Sequence, residues 1–137
     1  QEMLNKDELL QEAKKALDLA YTPYSNFRVG AAVLTKDGKC FLGANVENSS
    51  YPLSMCAERN AIYHAIMEGK KKEDFVALAI VADAKRPVSP CGACRQVISE
   101  LFPLNAPIYL GNLKGEVKET TVEELLPYAF EKEDMNL

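Results

Sequence analysis

The sequence predicts an α/β domain in which a sheet is covered by helices. Three observations lead there: helical spacing of apolar residues over positions 5–20, an unbroken apolar run of strand length from Phe75 to Ala82, and the order of elements. That order is helix, two strands, helix, strand, helix, two strands and a short helix. At 137 residues the chain fits one domain, 1–137, long enough to bury about two-thirds of the surface its unfolded form exposes.

Leu9, Leu10, Ala13, Ala16, Leu17 and Ala20 recur at helical spacing and leave Lys14, Lys15 and Asp18 on the wet side. Tyr21-Thr22-Pro23-Tyr24-Ser25 ends this helix. Phe27 to Leu34 then runs apolar and β-branched into Lys36-Asp37-Gly38, a hairpin signal, with Lys39 to Val46 as the return strand. Ser54 reads as the N-cap of a helix from Met55 to Met67 that stops at Gly69, which puts Cys56 in the first turn. Phe75 to Ala82 fits a strand buried on both faces, hence a central one. Ser89-Pro90 reads as N-cap and first residue of a helix running to Leu101 or Phe102, with Cys91 and Cys94 on one face of its first two turns. Pro107 to Gly111 and Glu116 to Lys118 form two short strands around a turn at Asn112 to Gly115. Thr121 opens a short helix through Leu126, ended by Pro127. The acidic tail from Glu131 to Leu137 is expected to fray.

Sixteen basic side chains stand against twenty acidic ones, and no basic patch exceeds Lys70-Lys71-Lys72. This balance disfavours nucleic-acid phosphates and anionic lipid as partners and suits a small neutral or cationic molecule. No apolar run approaches the roughly 20 residues that span a bilayer, and Gln1-Glu2-Met3 lacks the basic then apolar layout of a secretory signal. A cytoplasmic protein without a membrane partner is expected. Of four cysteines, three sit in a metal-like spacing and Cys40 falls within a strand, so a reducing compartment follows.

The chemistry resides in Cys56-Ala57-Glu58 and, 35 residues after Cys56, in Pro90-Cys91-Gly92-Ala93-Cys94. Cys56, Cys91 and Cys94 leave a tetrahedral Zn²⁺ one ligand short, and a water molecule can take the fourth position, as in catalytic sites. Two helices that begin with cysteine can aim their N-termini at one point, where free N–H groups and the positive dipole end lower thiol pKa values. Three thiolates leave the centre at net charge minus one, which weakens its water as a hydroxide source. Arg59 and Arg95, each beside a motif residue, are candidates to hydrogen-bond a sulfur, with Arg59 favoured. A closed structural zinc site needs a fourth donor: His64 lies two turns along the helix from Cys56, and Cys40 is on a strand. A redox Cys-x-x-Cys pair would leave the first triplet without a purpose. Glu58, about 200° around the helix from Cys56, is placed to stand beside the water as general acid and base rather than to ligate.

Both motifs, Cys-Ala-Glu and Pro-Cys-x-x-Cys, resemble those of the zinc-dependent cytidine deaminases. The likeness extends along the chain through Tyr24-Ser25-Asn26-Phe27-Arg28-Val29-Gly30-Ala31-Ala32, Gly43-Ala44-Asn45-Val46-Glu47-Asn48, Ser89 to Val97 and Glu124-Leu125-Leu126-Pro127, segments similar to the small homotetrameric class. The resemblance implies a three-layer α-β-α sandwich with a five-stranded mixed sheet and one Zn²⁺ per subunit. It also implies hydrolytic deamination of cytidine and 2′-deoxycytidine with release of ammonia, with Glu58 carrying the protons. It assigns Phe27 to the pyrimidine ring, Asn45 and Glu47 to the ribose 3′-hydroxyl, the Ala57 N–H to the 2-carbonyl oxygen, and the backbone of Ser89 and Pro90 to the departing amine. Phe130 is implied to reach a neighbouring subunit's site, and Tyr51 to lie in an intersubunit loop. Strand alternation puts Asn45 and Glu47 on one face, and the charge of Glu47 opposes a 5′-phosphate. Asn60, where the family often carries Thr or Ser, is a departure that bears on local helix packing. Two alternatives stand beside this reading: a deaminase of another amino-heterocycle, of the blasticidin or nucleic-acid-editing kind, and a zinc-stabilised binding module without activity.

Overall fold

In the computed structural model, which describes residues 3–135, the first helix begins with a reciprocal cap. The Glu8 N–H donates to Asn5 Oδ1 at 2.8 Å and the Asn5 N–H donates to Glu8 Oε1 at 3.0 Å, satisfying two N–H groups that the helix start would otherwise leave open. Helix α1 spans Lys6–Leu17 and buries Leu9, Leu10, Ala13, Ala16 and Leu17, the apolar stripe read from the sequence. It ends at Leu17, three residues short of Ala20 and capped by Asp18, because the chain then turns to meet Val46 through Tyr21.

Five strands follow: β1 (Val29–Thr35), β2 (Cys40–Ala44), β3 (Phe75–Ala82), β4 (Pro107–Asn112) and β5 (Val117–Thr121). Their order across the sheet is β2-β1-β3-β4-β5, so the continuous apolar strand is central as its composition requires. Only β3 and β4 run parallel; the other neighbours are antiparallel, which makes the sheet mixed. Helices α2 (Ala57–Met67), α3 (Gly92–Leu101) and the single turn α4 (Val122–Leu125) complete the chain.

Side-chain alternation along the strands separates two cores. Ala32, Leu34, Ala77, Ala79 and Val81 face α1, whereas Val29, Ala31, Val33, Leu78, Ile80 and Ile108 face Ala61, Ile62 and Ala65 of α2 and Ile98 of α3. The architecture is the expected three-layer α-β-α sandwich. Phe75 and Phe102 stack at 4.8 Å and fasten the end of α3 to the start of β3.

Two helix starts differ from the sequence reading. Ser54 does not cap α2 and Ser89 does not cap α3; the N-caps are Cys56 and Cys91, in extended backbone with no side-chain cap bond. The Ser54 hydroxyl instead accepts from the Asn48 N–H at 3.1 Å, next to a 3₁₀ turn at Tyr51–Leu53, and the Ser89 hydroxyl accepts from Arg95 at 2.7 Å. Competing partners took the hydroxyls, and both cysteines moved from the first turn to the helix mouth. Glu131 precedes a 3₁₀ turn at Lys132–Met135, and the last two residues of the tail expected to fray lie outside the described ones. Among the described residues no helix is long and apolar enough to cross a membrane.

Two glycines set the layer spacing. A Cβ on Gly30 would lie 2.1 Å from the Ala13 carbonyl oxygen of α1, and one on Gly43 would lie 2.2 Å from the Ala61 nitrogen of α2. Backbone meets backbone at both points, so neither neighbour can yield. Gly30→Ala and Gly43→Ala should each lower unfolding free energy by about 3 kcal/mol in urea denaturation. A change under about 0.5 kcal/mol would contradict the close approach.

Candidate active site

The two helix mouths bring the cysteines together. Cys56 Sγ lies 3.8 Å from Cys91 Sγ, Cys91 Sγ lies 3.4 Å from Cys94 Sγ, and all three lie within 4.8 Å of one another. A tetrahedral zinc with Zn–S of about 2.3 Å sets its sulfurs about 3.8 Å apart, so this donor set fits the ion in chemistry and spacing. Cys94 is fully buried, while Cys56 and Cys91 reach the surface of a cleft. The fourth expected donor of a closed site is missing among the described residues: His64 Nδ1 faces the Leu42 carbonyl at 3.2 Å, and Cys40 belongs to the core beside α1.

Electrostatics favour the thiolate at Cys56. The Cys94 thiol hydrogen-bonds Cys56 and, with help from Arg59, draws the Cys56 pKa down to about 5. For the reciprocal reason, and because it is buried, the Cys94 thiol is pushed up. Arg59 Nη2 donates to Cys56 Sγ at 3.5 Å, and Arg59 Nε is buried without a hydrogen-bond partner among the described residues. A guanidinium confined beside sulfur is the compensation that a three-thiolate centre requires.

Arg95 is a correction. Its Nε donates to the Pro90 carbonyl at 2.9 Å, Nη1 to the Leu125 carbonyl at 2.7 Å and Nη2 to Ser89 Oγ at 2.7 Å. Three oxygen acceptors hold the guanidinium away from sulfur, and it serves to tie the loop before Cys91 to α4.

The cleft, about 340 Å³, is lined by Phe27, Asn45, Glu47, Tyr51, Cys56, Ala57, Glu58, Ser89 and Cys91 among the residues singled out from sequence. Pro90 is buried and not among the lining residues, and Phe130 lies elsewhere on this chain, beside Leu101 and Leu104 at the end of α3. A larger depression of about 580 Å³ between Arg86 and Lys118 contains none of the sulfurs and is not the chemical site. Sequence reasoning gave no role to Ser25, Val29, Ile80 and Val88, which also line the cleft. Only Ser25 carried a polar signal, a hydroxyl two residues before an aromatic.

Two carboxylates meet this cleft in opposite states. Glu58, in the first turn of α2, is 5 % exposed, and burial pushes its pKa up. Glu47, also buried, accepts from the Tyr24 and Ser25 N–H groups at 3.1 Å each and from the Ser25 hydroxyl, which together pull its pKa down. Asn45 Oδ1 accepts from the Val29 N–H at 2.9 Å and its Nδ2 donates to the Phe27 carbonyl at 2.8 Å, leaving one amide hydrogen and one lone pair for a ligand. Asn60 Nδ2 donates to the Ala44 carbonyl at 2.8 Å, a bond that joins α2 to β2.

The family described as the cytidine and deoxycytidylate deaminase zinc-binding region matches residues 3–108. The chain is 56 % identical over 133 residues to a cytidine deaminase of Halalkalibacterium halodurans, covering 97 % of this chain and 99 % of the relative. It is 54 % identical over 130 residues to a cytidine deaminase of Sporosarcina psychrophila, covering 95 % and 94 %. The crystal structure of cytidine deaminase from Burkholderia pseudomallei superposes with a TM-score of 0.90 at 47 % identity, over 93 % of this chain and all of that one.

Replacing Cys56, Cys91 or Cys94 by Ala should each reduce the zinc measured in purified protein by elemental analysis, whereas Cys40→Ala should retain it. Equal loss from Cys40→Ala would mean a different ligand set. Arg59→Gln should weaken zinc retention against a chelator about tenfold or more. Unchanged retention would remove Arg59 from the site.

Proposed function

The chain belongs to the zinc-binding cytidine and deoxycytidylate deaminase family, and we propose that it deaminates cytidine and 2′-deoxycytidine hydrolytically to uridine and 2′-deoxyuridine, releasing ammonia. One observation carries this reading: three clustered sulfurs, with no fourth protein donor among the described residues, meet a cleft through Cys56 and Cys91, and a buried carboxyl, Glu58, lines the same cleft. When bound by Cys56, Cys91 and Cys94, one zinc per subunit supplies the Lewis acid that activates water.

Glu58 moves the protons. It takes one from the attacking water and delivers it to the pyrimidine N3, and later transfers the hydroxyl proton to the departing amine. Burial suits a carboxyl that must hold a proton part of the time near neutral pH. The Ala57 N–H, in the first turn of α2 where N–H groups lack intrahelical partners, binds the 2-carbonyl oxygen. Phe27 packs on the base, and the carbonyls of Ser89 and Pro90 accept from the amine. Glu47 and the free amide hydrogen of Asn45 hold the ribose 3′-hydroxyl. An ionised, buried Glu47 repels a 5′-phosphate, so nucleosides are preferred to nucleotides.

The chain acts as a single domain, in the cytoplasm, as a homotetramer. Tyr128 is fully exposed with φ of 56°, Phe130 is 57 % exposed and Tyr51 67 % exposed; these aromatics are where a neighbouring subunit would sit, with Phe130 contributed to that neighbour's cleft.

Incubation with cytidine, 2′-deoxycytidine, cytosine, adenosine and cytidine monophosphate should yield product from the first two alone, followed by absorbance and ammonia release. Zinc content without ammonia release would favour a binding module. Glu58→Ala should keep zinc and fold yet reduce kcat by about 10²–10⁴-fold. Near-normal turnover would overturn the assignment. A stable, active monomer in light scattering would overturn the tetramer.

A further inference from the structure

The segment that carries Phe27 has no regular structure, yet its geometry is closely held. Asn26 sits in the left-handed region at φ 58° and reverses the chain, its N–H donating to the Thr22 carbonyl at 3.0 Å. On one side of it the Ser25 N–H and hydroxyl both donate to Glu47. On the other, the Phe27 N–H donates to Ser25 Oγ at 3.0 Å. The one hydroxyl is therefore donor to a carboxylate and acceptor from the residue that presents the aromatic face. Ser25 is itself among the residues that line the cleft, between these two groups.

We propose that Ser25 is a positioning residue that locks Glu47 and Phe27 into one rigid unit, so that the polar wall and the flat wall of the cleft keep a fixed spacing. This rests on the reading above in which Glu47 binds the sugar hydroxyl and Phe27 the base. Glu47 Oε1 already accepts two backbone N–H groups, so Ser25 is the group that orients Oε2. Without it the carboxylate keeps its place but can rotate Oε2 away from a ligand, and Phe27 loses the bond that fixes its backbone. Asn45 remains as the other tether of Phe27, through its carbonyl. Loss of Ser25 therefore affects binding of the substrate's polar end more than that of its base.

The test compares steady-state kinetics of the zinc-loaded wild type, Ser25→Ala, Ser25→Thr and Glu47→Gln on cytidine and on 3′-deoxycytidine. Ser25→Ala should raise KM for cytidine about tenfold, with kcat within about threefold, the size expected for one lost hydrogen bond to a charged group. With 3′-deoxycytidine, which offers Glu47 nothing, the same change should raise KM about threefold or less. Ser25→Thr, which keeps the hydroxyl, should restore the cytidine KM. An equal penalty on both substrates, or no penalty on either, would overturn the role of Ser25 when Glu47→Gln still raises KM for cytidine. If Glu47→Gln also leaves that KM unchanged, the sugar-contact reading itself falls, and the proposal with it.

Discussion

Three sulfurs that repel one another once they act as thiolate ligands have to be held within 4.8 Å of one another, and much of this molecule is arranged to make that possible. Two helices converge with their N-termini on the cluster, Cys56 at one mouth and Cys91 at the other. Unpaired N–H groups and the positive dipole ends lie where the thiolates gather. Arg59, one turn into α2, adds a full positive charge beside Cys56. The convergence depends on the sheet beneath. Gly43 lets α2 approach β2 until backbone touches backbone, and the Phe75–Phe102 stack anchors the far end of α3. A methyl group at the first contact would push a cysteine away from its partners.

The same scaffold makes two glutamates unlike each other. Glu58 sits at the start of α2 with its carboxyl desolvated, so the neutral form is favoured. Glu47, on the strand-like segment after β2, is equally hidden from water but has a hydroxyl and two N–H groups aimed at its oxygens, so the ion is favoured. Burial alone does not decide ionisation; the count of donors does. One carboxyl is thereby suited to exchange protons and the other to stay charged and recognise.

Arg95 shows how adjacency in sequence can mislead. Arg95 follows a metal-motif cysteine, yet its guanidinium turns to Ser89, Pro90 and Leu125. The choice was made by α4, a single turn 30 residues further on, whose last carbonyls need donors. Asn45 lines the cleft together with Glu47, and its amide also bridges Phe27 and Val29 at the end of the sheet.

From the sequence by itself came the layered α/β class, the central place of Phe75 to Ala82, the hairpin at Lys36 to Gly38 and the three cysteines with Glu58. Each rests on periodicity, composition or short spacing, which are local properties. Tertiary structure alone decided that Cys56 and Cys91 are helix caps and that Ser54 and Ser89 are not. It also decided that Gly30 and Gly43 are packing contacts, that Ser25 joins the two walls of the cleft, and that Phe130 lies away from this chain's own cleft. Hydroxyls, amides and guanidinium groups have several acceptable partners apiece, and which one is taken depends on groups brought near from distant parts of the chain. Thiols gathered by two helix starts have far fewer alternatives, which is why they could be read first.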